Sequence, residues 1–121
     1  MSKSILAVDD SKTMRDMLQY TLSDAGYTVH LAEEGRQALS VLARENIDLV
    51  ITDINMPVMN GIELVKSVRA DPRARALPIL ILTTESGDNL KQEGRAAGAT
   101  GWIVKPFVPD KLLKVVAKVC P

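Results

Sequence analysis

Short apolar runs alternate with stretches of helical periodicity along the whole chain. The first run, residues 4–8, is short, almost wholly apolar and followed by Asp-Asp-Ser, which is typical of a strand that ends in a turn. In residues 14–25 the apolar positions then recur three and four residues apart, and Gly26 stands where a helix ends. The sequence therefore begins with a strand and a helix.

The same pair of elements recurs along the rest of the chain. Further strands are predicted at residues 28–32, 49–52, 78–83 and 100–104, and further helices around residues 38–42, 62–68, 88–97 and from Pro109 onward. Strict alternation of strands with crossover helices favours a parallel sheet with helices on both faces. The prediction is an α/β fold with five strand–helix units, (βα)5.

The side-chain pattern of the strands also predicts their order in the sheet. Residues 5–8, 49–51 and 79–82 are wholly apolar, as in strands buried on both faces, whereas residues 28–31 alternate polar with apolar and residues 100–102 are mixed. The second and fifth strands are therefore predicted at the edges. Of the two common doubly wound orders, only the flavodoxin-like order 2-1-3-4-5 places them there, and its binding crevice lies at the carboxyl ends of strands one and three.

Composition narrows the class of protein. The 121 residues, 46% apolar and 25% charged, suit one compact domain over residues 1–121. Fifteen Lys and Arg balance fifteen Asp and Glu, which argues against nucleic-acid or anionic-membrane partners. The longest apolar runs have four residues, too short for a membrane span or a signal peptide, and the one cysteine, Cys120, excludes a disulfide framework within the chain. We predict a cytoplasmic monomer.

Charge is unevenly distributed along the chain. Residues 1–60 hold five Lys and Arg against nine Asp and Glu, a net charge of −4, and residues 61–121 carry the opposite excess.

Three of the acids follow predicted strands. Asp9 and Asp10 follow the first strand, and Asp53 follows the third. Thr83 ends the fourth strand and Lys105 follows the fifth. Each has an ordinary explanation as a cap, turn, strand or surface residue, but parallel strands bring all five to one edge of the sheet.

Three converging carboxylates repel one another unless protons or a cation compensate them, and Mg²⁺ is the hard cation that suits oxygen ligands. Neither glycine-rich phosphate-binding motif occurs in the chain, which disfavours nucleotide binding. A carboxylate can instead attack a phosphoryl group as a nucleophile. Asp53 is the candidate nucleophile because it stands alone at its strand end, whereas the adjacent Asp9 and Asp10 suit a metal.

Four ordered segments carry a family resemblance. They are Val8-Asp9-Asp10-Ser11, the run Asp-Ile-Asn-Met-Pro-Val-Met-Asn-Gly at residues 53–61, Leu82-Thr83-Thr84, and the run Ala-Gly-Ala-Thr-Gly-Trp-Ile-Val-Lys-Pro-Phe at residues 97–107. With them the chain resembles, over nearly its whole length, the receiver domains of two-component response regulators. It is most similar to stand-alone chemotaxis regulators of the CheY type.

The resemblance implies a role for each strand-end residue. Asp53 would accept phosphate from a histidine kinase, and Lys105 would contact the phosphoryl oxygen while Thr83 moves toward it. Asp10, Asp53 and the main-chain carbonyl of Asn55 would bind Mg²⁺, and Asp9 would assist. The Lys105–Pro106 peptide bond is expected to be cis, as is typical of the family.

The same pocket is expected to hydrolyse its own aspartyl phosphate, because a metal that favours transfer also polarises the phosphoryl group toward water. By resemblance, the side chains two positions after the acceptor and two after the threonine, Asn55 and Glu85, set that rate. The chain would then be a self-limiting switch protein and not an enzyme acting on other substrates.

The expected output surface lies around the fourth helix, the fifth strand and the fifth helix. The apolar stripe of the fourth helix is only Leu90, Gly94 and Ala97, and a glycine within a helix costs about 1 kcal/mol relative to alanine, so this helix is predicted to move easily. By resemblance, Trp102 occupies the position of an aromatic switch. Charged residues surround it on the two helices, namely Lys91, Arg95, Lys111, Lys114 and Lys118.

This surface is the predicted contact for the histidine kinase and for a target such as the flagellar motor switch, and a dedicated phosphatase is a further candidate partner. Two alternatives keep the same phosphoacceptor: a phosphate sink that drains another regulator, and an intermediate in a phosphorelay. A Mg²⁺-dependent small-molecule phosphohydrolase is a third alternative. It is disfavoured because the first strand end lacks Asp-x-Asp spacing and no insertion encloses a substrate.

Two further expectations concern residues outside the predicted site. Met14 and Met17 fall within the apolar stripe of the first helix and are predicted to lie in the core. Arg69, Arg73 and Arg75 flank a proline and are predicted to form a solvated loop.

Overall fold

The computed structural model describes residues 2–85 and 87–121, in which strands and helices alternate as predicted. The strands are β1 (Ser4–Val8), β2 (Thr28–Ala32), β3 (Leu49–Thr52), β4 (Ile79–Thr83) and β5 (Gly101–Val104). The helices are α1 (Lys12–Asp24), α2 (Gly35–Arg44), α3 (Gly61–Arg69), α4 (Asp88–Ala97) and α5 (Pro109–Val119), and a 3₁₀ turn covers Pro72–Ala74. Among these residues no helix has both the length and the hydropathy to cross a membrane.

The strands form one parallel sheet in the order β2-β1-β3-β4-β5, which confirms the predicted flavodoxin-like, doubly wound fold. Every residue of β3 and β4 is buried, whereas the side chains of β2 and β5 are mostly half-buried. The alternating pattern of β2 and the mixed pattern of β5 thus identified the sheet edges correctly.

Successive residues of β1 point to opposite faces of the sheet and belong to two separate hydrophobic layers. Leu6 and Val8 pack with α2, α3 and α4 on one face of the sheet, while Ile5 and Ala7 pack with α1 and α5 on the other. All four side chains are at most 1% exposed. Because the sheet is covered on both faces, the polar strand ends at its carboxyl edge are left as the natural place for a binding site.

Helix α4 is held more closely than its sequence predicted. Gly94 is buried, and a Cβ atom built on it would lie 2.9 Å from Cζ3 of Trp102 and 3.0 Å from Cδ1 of Ile81. Glycine has a low helix propensity, but its lack of a side chain allows α4 to pack directly on the Trp102 ring. Flexibility of this helix remains a prediction.

The outer side of α1 is less buried than predicted. Leu18 and Leu22 provide its fully buried contacts, and Met14 is half-buried against the same layer. Met17 is 44% exposed, so its assignment to the core was wrong. Its position at the margin of a broad apolar stripe explains the error, because spacing alone does not locate the edge of a buried face.

Of the three arginines predicted to form a solvated loop, one ends α3 instead. Arg73 and Arg75 are exposed as predicted, but Arg69 is half-buried. Its guanidinium donates hydrogen bonds to the carbonyl oxygens of Gly98 at 3.0 Å and Ala74 at 2.6 Å. The end of α3 is thereby tied to the end of α4, and the prediction of a fully solvated arginine loop was wrong for Arg69.

Val58, in the loop that follows β3, adopts a left-handed backbone conformation with φ of 69°. The Met59 amide donates to the Pro57 carbonyl at 2.7 Å, which closes a three-residue turn around it. A β-branched residue is strained in this region, and the Val58 side chain is 70% exposed, so little burial offsets the strain.

We expect Val58→Asn to raise the free energy of unfolding by about 1 kcal/mol, because asparagine tolerates positive φ. Val58→Ile is the matched control, since it keeps the branched Cβ and should leave stability unchanged. Urea denaturation of the three proteins measures both effects. Equal stability of the Asn and Ile variants would contradict the prediction.

Candidate functional site

The strand register places the predicted site residues at one edge of the sheet. Val8 pairs with Thr52, so the residues that follow them, Asp9 and Asp53, emerge side by side. Thr83 pairs with Val104, so Lys105 emerges next to the end of β4. Short apolar strands that stop at polar residues thus position the site, without a long loop.

The three predicted acids converge. Asp9, Asp10 and Asp53 each present a carboxylate oxygen, and these oxygens all lie within 4.8 Å of one another. Asp9 is 1% exposed and Asp53 is 7% exposed, while Asp10 is exposed to solvent. The cluster is therefore a buried pair of carboxylates with a third at its mouth.

Lys105 joins the two buried carboxylates. Its ammonium Nζ lies 2.7 Å from Oδ2 of Asp9 and 2.8 Å from Oδ2 of Asp53, and its side chain is only 10% exposed. Burial alone lowers the pKa of Lys105, but hydrogen bonds and charge from Asp53 and Asp9 outweigh it and raise the pKa above the usual lysine value. The ammonium therefore remains charged at neutral pH.

The second oxygens of the same carboxylates are fixed by backbone amides. Oδ1 of Asp9 accepts from the amide of Ser11 at 2.9 Å, and the Ser11 hydroxyl caps α1. Oδ1 of Asp53 accepts from the amide of Ile54 at 2.6 Å and that of Asn55 at 3.4 Å. Both carboxylates are thus oriented by local hydrogen bonds, so Oδ2 of each points to Lys105.

The donor set fits a hard divalent cation. When ionised, three carboxylates against one ammonium leave two negative charges uncompensated at the site. All the clustered donors are oxygen atoms, which Mg²⁺ prefers. Asp9, Asp10 and Asp53 therefore form a cluster that could hold a metal ion, and their role as ligands remains a prediction. The Asn55 carbonyl belongs to the same loop, and its role as a ligand remains a prediction.

The rim of the site is formed by the loops after β3 and β4. Thr83 is fully buried at the end of β4, and its hydroxyl accepts a hydrogen bond from the Glu85 amide at 3.3 Å. The side-chain amide of Asn55 donates to Oε1 of Glu85 at 3.1 Å. The structure therefore brings the two residues predicted to control dephosphorylation into direct contact across the rim.

The predicted output residues lie on α4, β5 and α5. The Trp102 ring is half-buried against the layer that includes α4, and its indole N–H donates to the Glu85 carbonyl at 3.1 Å. Lys91 is half-buried, and the other predicted charged residues are exposed: Arg95, Lys111, Lys114 and Lys118. Their role in partner binding remains a prediction.

Sequence reasoning missed Arg15 as a support of the site. From the first turns of α1, its guanidinium donates to the Asp9 carbonyl at 2.8 Å and reaches Oε1 of Glu33 at 3.3 Å. The Arg15 side chain is 12% exposed. Its spacing of four from the helix cap Ser11 is the only sequence signal, and that spacing does not distinguish it from other charged helix residues.

Comparison with known proteins identifies the family to which this arrangement belongs. The sequence model of the response regulator receiver domain family matches residues 5–117. The chain belongs to the response regulator receiver domain family. This confirms the resemblance inferred from the four ordered motifs.

Curated relatives and solved structures agree with this assignment. The receiver domain is 41% identical over 116 residues to the chemotaxis protein CheY of Pseudomonas aeruginosa, covering 95% of this chain and 94% of that protein. It is 47% identical over 110 residues to CheY1 of Helicobacter pylori, covering 89% of each. A crystal structure of CheY4 of Vibrio cholerae superposes with a TM-score of 0.95 at 50% identity, covering 98% of this chain and 99% of that one.

Proposed function

We propose that this protein is a phosphorylation-controlled switch of bacterial chemotaxis, formed by a single receiver domain over residues 1–121, with Asp53 as the phosphoacceptor. One observation carries the proposal: Lys105 contacts both Asp9 and Asp53 in a cluster of three strand-end carboxylates. This arrangement supports the proposal because a nucleophilic carboxylate, a fixed positive charge and oxygen ligands for a cation would all be needed within one small site.

Each residue has a defined part in phosphoryl transfer. An oxygen of Asp53 forms a bond to phosphorus, the bond between phosphorus and the imidazole nitrogen of a phosphohistidine breaks, and its electron pair stays on the imidazole. Lys105 stabilises the negative charge on the transferred oxygens. Asp10, Asp53 and the Asn55 carbonyl would hold the cation, with help from Asp9. Bound Mg²⁺ supplies further neutralisation of that charge.

Chemotaxis is the proposed pathway because the relatives named above are chemotaxis proteins. The proposed phosphodonor is a histidine kinase, and the proposed target is a protein such as the flagellar motor switch. Trp102 and the lysines of α5 form the proposed docking surface. Trp102, in β5, donates a hydrogen bond to the Glu85 carbonyl, so a change at the acceptor site has a short path to this surface.

Intact mass spectrometry tests the phosphoacceptor. With acetyl phosphate and Mg²⁺, the wild-type protein should gain one phosphoryl group, which chelation of Mg²⁺ should prevent and removal of the donor should reverse. Asp53→Asn should show no gain, because an amide does not provide the nucleophilic carboxylate. Asp24→Asn, at the far end of α1, is the matched control and should behave as wild type. A gain in Asp53→Asn equal to that of wild type would refute the assignment.

A further inference from the structure

A groove between α2 and α3 opens at the amino edge of the sheet. Its volume is about 550 Å³, and its walls come from the ends of α2 and α3, the loop before β3 and the 3₁₀ turn before β4. Asp53 and Thr83 lie at the opposite, carboxyl edge. Since β3 has 4 residues, β4 has 5, and a strand rises about 3.3 Å per residue, the groove and the acids are roughly 15 Å apart along the strands.

The floor of this α2–α3 groove is apolar. Helix α2 buries Ala38 and Val41, whereas Leu39 and Leu42 line the groove and are only half-buried. The floor is completed by half-buried side chains that precede β3 and β4, namely Ile47, Ala74 and Leu77. The apolar stripe of α2 is therefore wider than the sheet and α3 cover, and part of it remains accessible to a partner.

The rim of the α2–α3 groove is acidic. Three carboxylates line it, those of Glu45, Asp48 and Asp71. Of the described residues, Arg73 is the one cation in the lining, and its guanidinium pairs with Asp71 at 3.0 Å. The C-terminal ends of α2 and α3 border the same rim and add partial negative charge. Three further cations close in the sequence are exposed and lie outside the lining: Arg44, Lys66 and Arg75.

The 3₁₀ turn that forms one wall is fixed by hydrogen bonds. Asp71 caps the turn by accepting from the Arg73 amide at 2.9 Å. The Arg69 guanidinium donates to the Ala74 carbonyl at 2.6 Å and to the Gly98 carbonyl at 3.0 Å, which ties the turn to the ends of α3 and α4. Because this wall is already ordered, binding in the groove needs little reorganisation of the protein.

We propose that the α2–α3 groove is a docking site for a basic amphipathic helix of a partner protein, whose apolar side chains cover Leu39 and Leu42 while its Lys or Arg side chains meet Glu45 and Asp48. Charge complementarity identifies this occupant. An apolar floor alone would accept any amphipathic helix, whereas a rim with two net negative charges selects a cationic one.

This docking site would tether the protein without covering the acceptor. The groove lies at the amino edge, so the proposed phosphorylation of Asp53 at the carboxyl edge can proceed while the helix is bound. Binding of the helix likewise does not depend on that phosphorylation. The groove therefore adds a second contact, distinct from the proposed docking surface of Trp102 and the α5 lysines.

Fluorescence anisotropy of a labelled peptide tests the groove. The probe is an amphipathic peptide of leucine and lysine, about 15 residues long so that it forms a helix, and the same peptide with glutamate in place of lysine should not bind. Leu42→Ser should weaken binding of the lysine peptide by about fivefold, through lost apolar burial, and Glu45→Gln by about threefold. Met17→Ser and Asp24→Asn, on α1, are the matched controls and should bind as wild type.

Three results would overturn the docking site: no binding of the lysine peptide, equal binding of both peptides, or equal losses in the groove variants and their α1 controls. Circular dichroism verifies the fold of Leu42→Ser. If that variant does not fold, Glu45→Lys changes an exposed side chain and should still weaken binding by about tenfold. A dimer in analytical ultracentrifugation that Leu42→Ser or Glu45→Lys abolishes would overturn the partner helix and identify a second copy of the chain as the occupant.

Mass spectrometry separates this site from the proposed function. With the lysine peptide at saturation, phosphoryl gain from acetyl phosphate should keep its rate; a slower gain would overturn a tether placed away from the acceptor. If the protein never gains a phosphoryl group but the groove variants weaken peptide binding, the proposed function fails and the docking site stands. If phosphoryl gain is normal and the peptide does not bind, the docking site fails alone.

Discussion

Lys105→Met should lower the free energy of unfolding by about 3 kcal/mol in the absence of divalent cations. The substitution removes the ammonium that lies 2.7 Å from Asp9 and 2.8 Å from Asp53, and it leaves both buried carboxylates without their cationic partner. Adding Mg²⁺ should restore part of the loss, because a cation at the three carboxylates offsets the same charge. Chemical denaturation with and without Mg²⁺ measures both effects.

The control for this prediction is the exposed ion pair on α1. Lys12 and Asp16 are 2.9 Å apart, but their side chains are 80% and 58% exposed. Lys12→Met should therefore change stability by only about 0.5 kcal/mol, whether or not Mg²⁺ is present. Equal losses for the two lysine variants would show that burial of the Lys105 pairs contributes nothing.

The pH dependence of the wild-type protein follows from the same lysine. Its pKa is raised in the folded state above the usual lysine value of 10.5. A raised pKa means that the stabilisation is fully present below the unfolded pKa and is lost as the pH rises through the folded one. Stability from Lys105 should thus be constant through neutral pH and decrease only above about pH 10.5, the onset set by the unfolded chain.

Gly61→Ala should destabilise the protein by about 3 kcal/mol, at the upper end of the range for overpacking, and disturb the loop that begins at Asp53. A Cβ atom at position 61 would lie 2.1 Å from the carbonyl oxygen of Asp53 and 2.8 Å from Cα of Ile54. Both are backbone atoms, so no side chain can rotate away. The Gly61 amide also donates to the Ile54 carbonyl at 2.9 Å, which holds the start of α3 against the residue that follows Asp53.

Gly87→Ala is the matched control, because a Cβ at position 87 meets nothing within 4 Å and its φ of −65° suits any residue. It should change stability by at most about 0.5 kcal/mol. Urea denaturation of both variants, with mass spectrometry of phosphoryl gain, measures stability and site geometry together. A Gly61→Ala protein as stable and as reactive as Gly87→Ala would contradict the close approach of α3 to Asp53.

The strand-end acids could be predicted from the sequence because they depend on a rule of topology and not on side-chain conformation. Parallel strands place their carboxyl ends at one edge, so Asp9, Asp53 and Lys105 meet there whatever their rotamers are. The strand order followed in the same way from which runs were wholly apolar. The spacing of apolar residues, every second residue in a half-buried strand and every three to four residues in a helix, indicates these elements directly.

Other features depend on conformations that spacing does not encode. The sequence predicted a cation at the acids, but it did not show that Lys105 already contacts two of them. Neither the bond from Trp102 to Glu85 nor the positive φ of Val58 has a sequence signature, since both arise from how loops close on the finished sheet. Met17 was misassigned because periodicity identifies a helix face and leaves its margin open.

The contact between Lys105 and Asp9 joins two residues that are 96 positions apart in the sequence. Lys105 follows β5, an edge strand that has a neighbouring strand on one side only. During synthesis the ribosome must release β5 before this pair can form, and local opening of β5 removes the lysine while the acids remain in place. A truncated or partly unfolded chain thus lacks the lysine that neutralises the cluster of Asp9, Asp10 and Asp53.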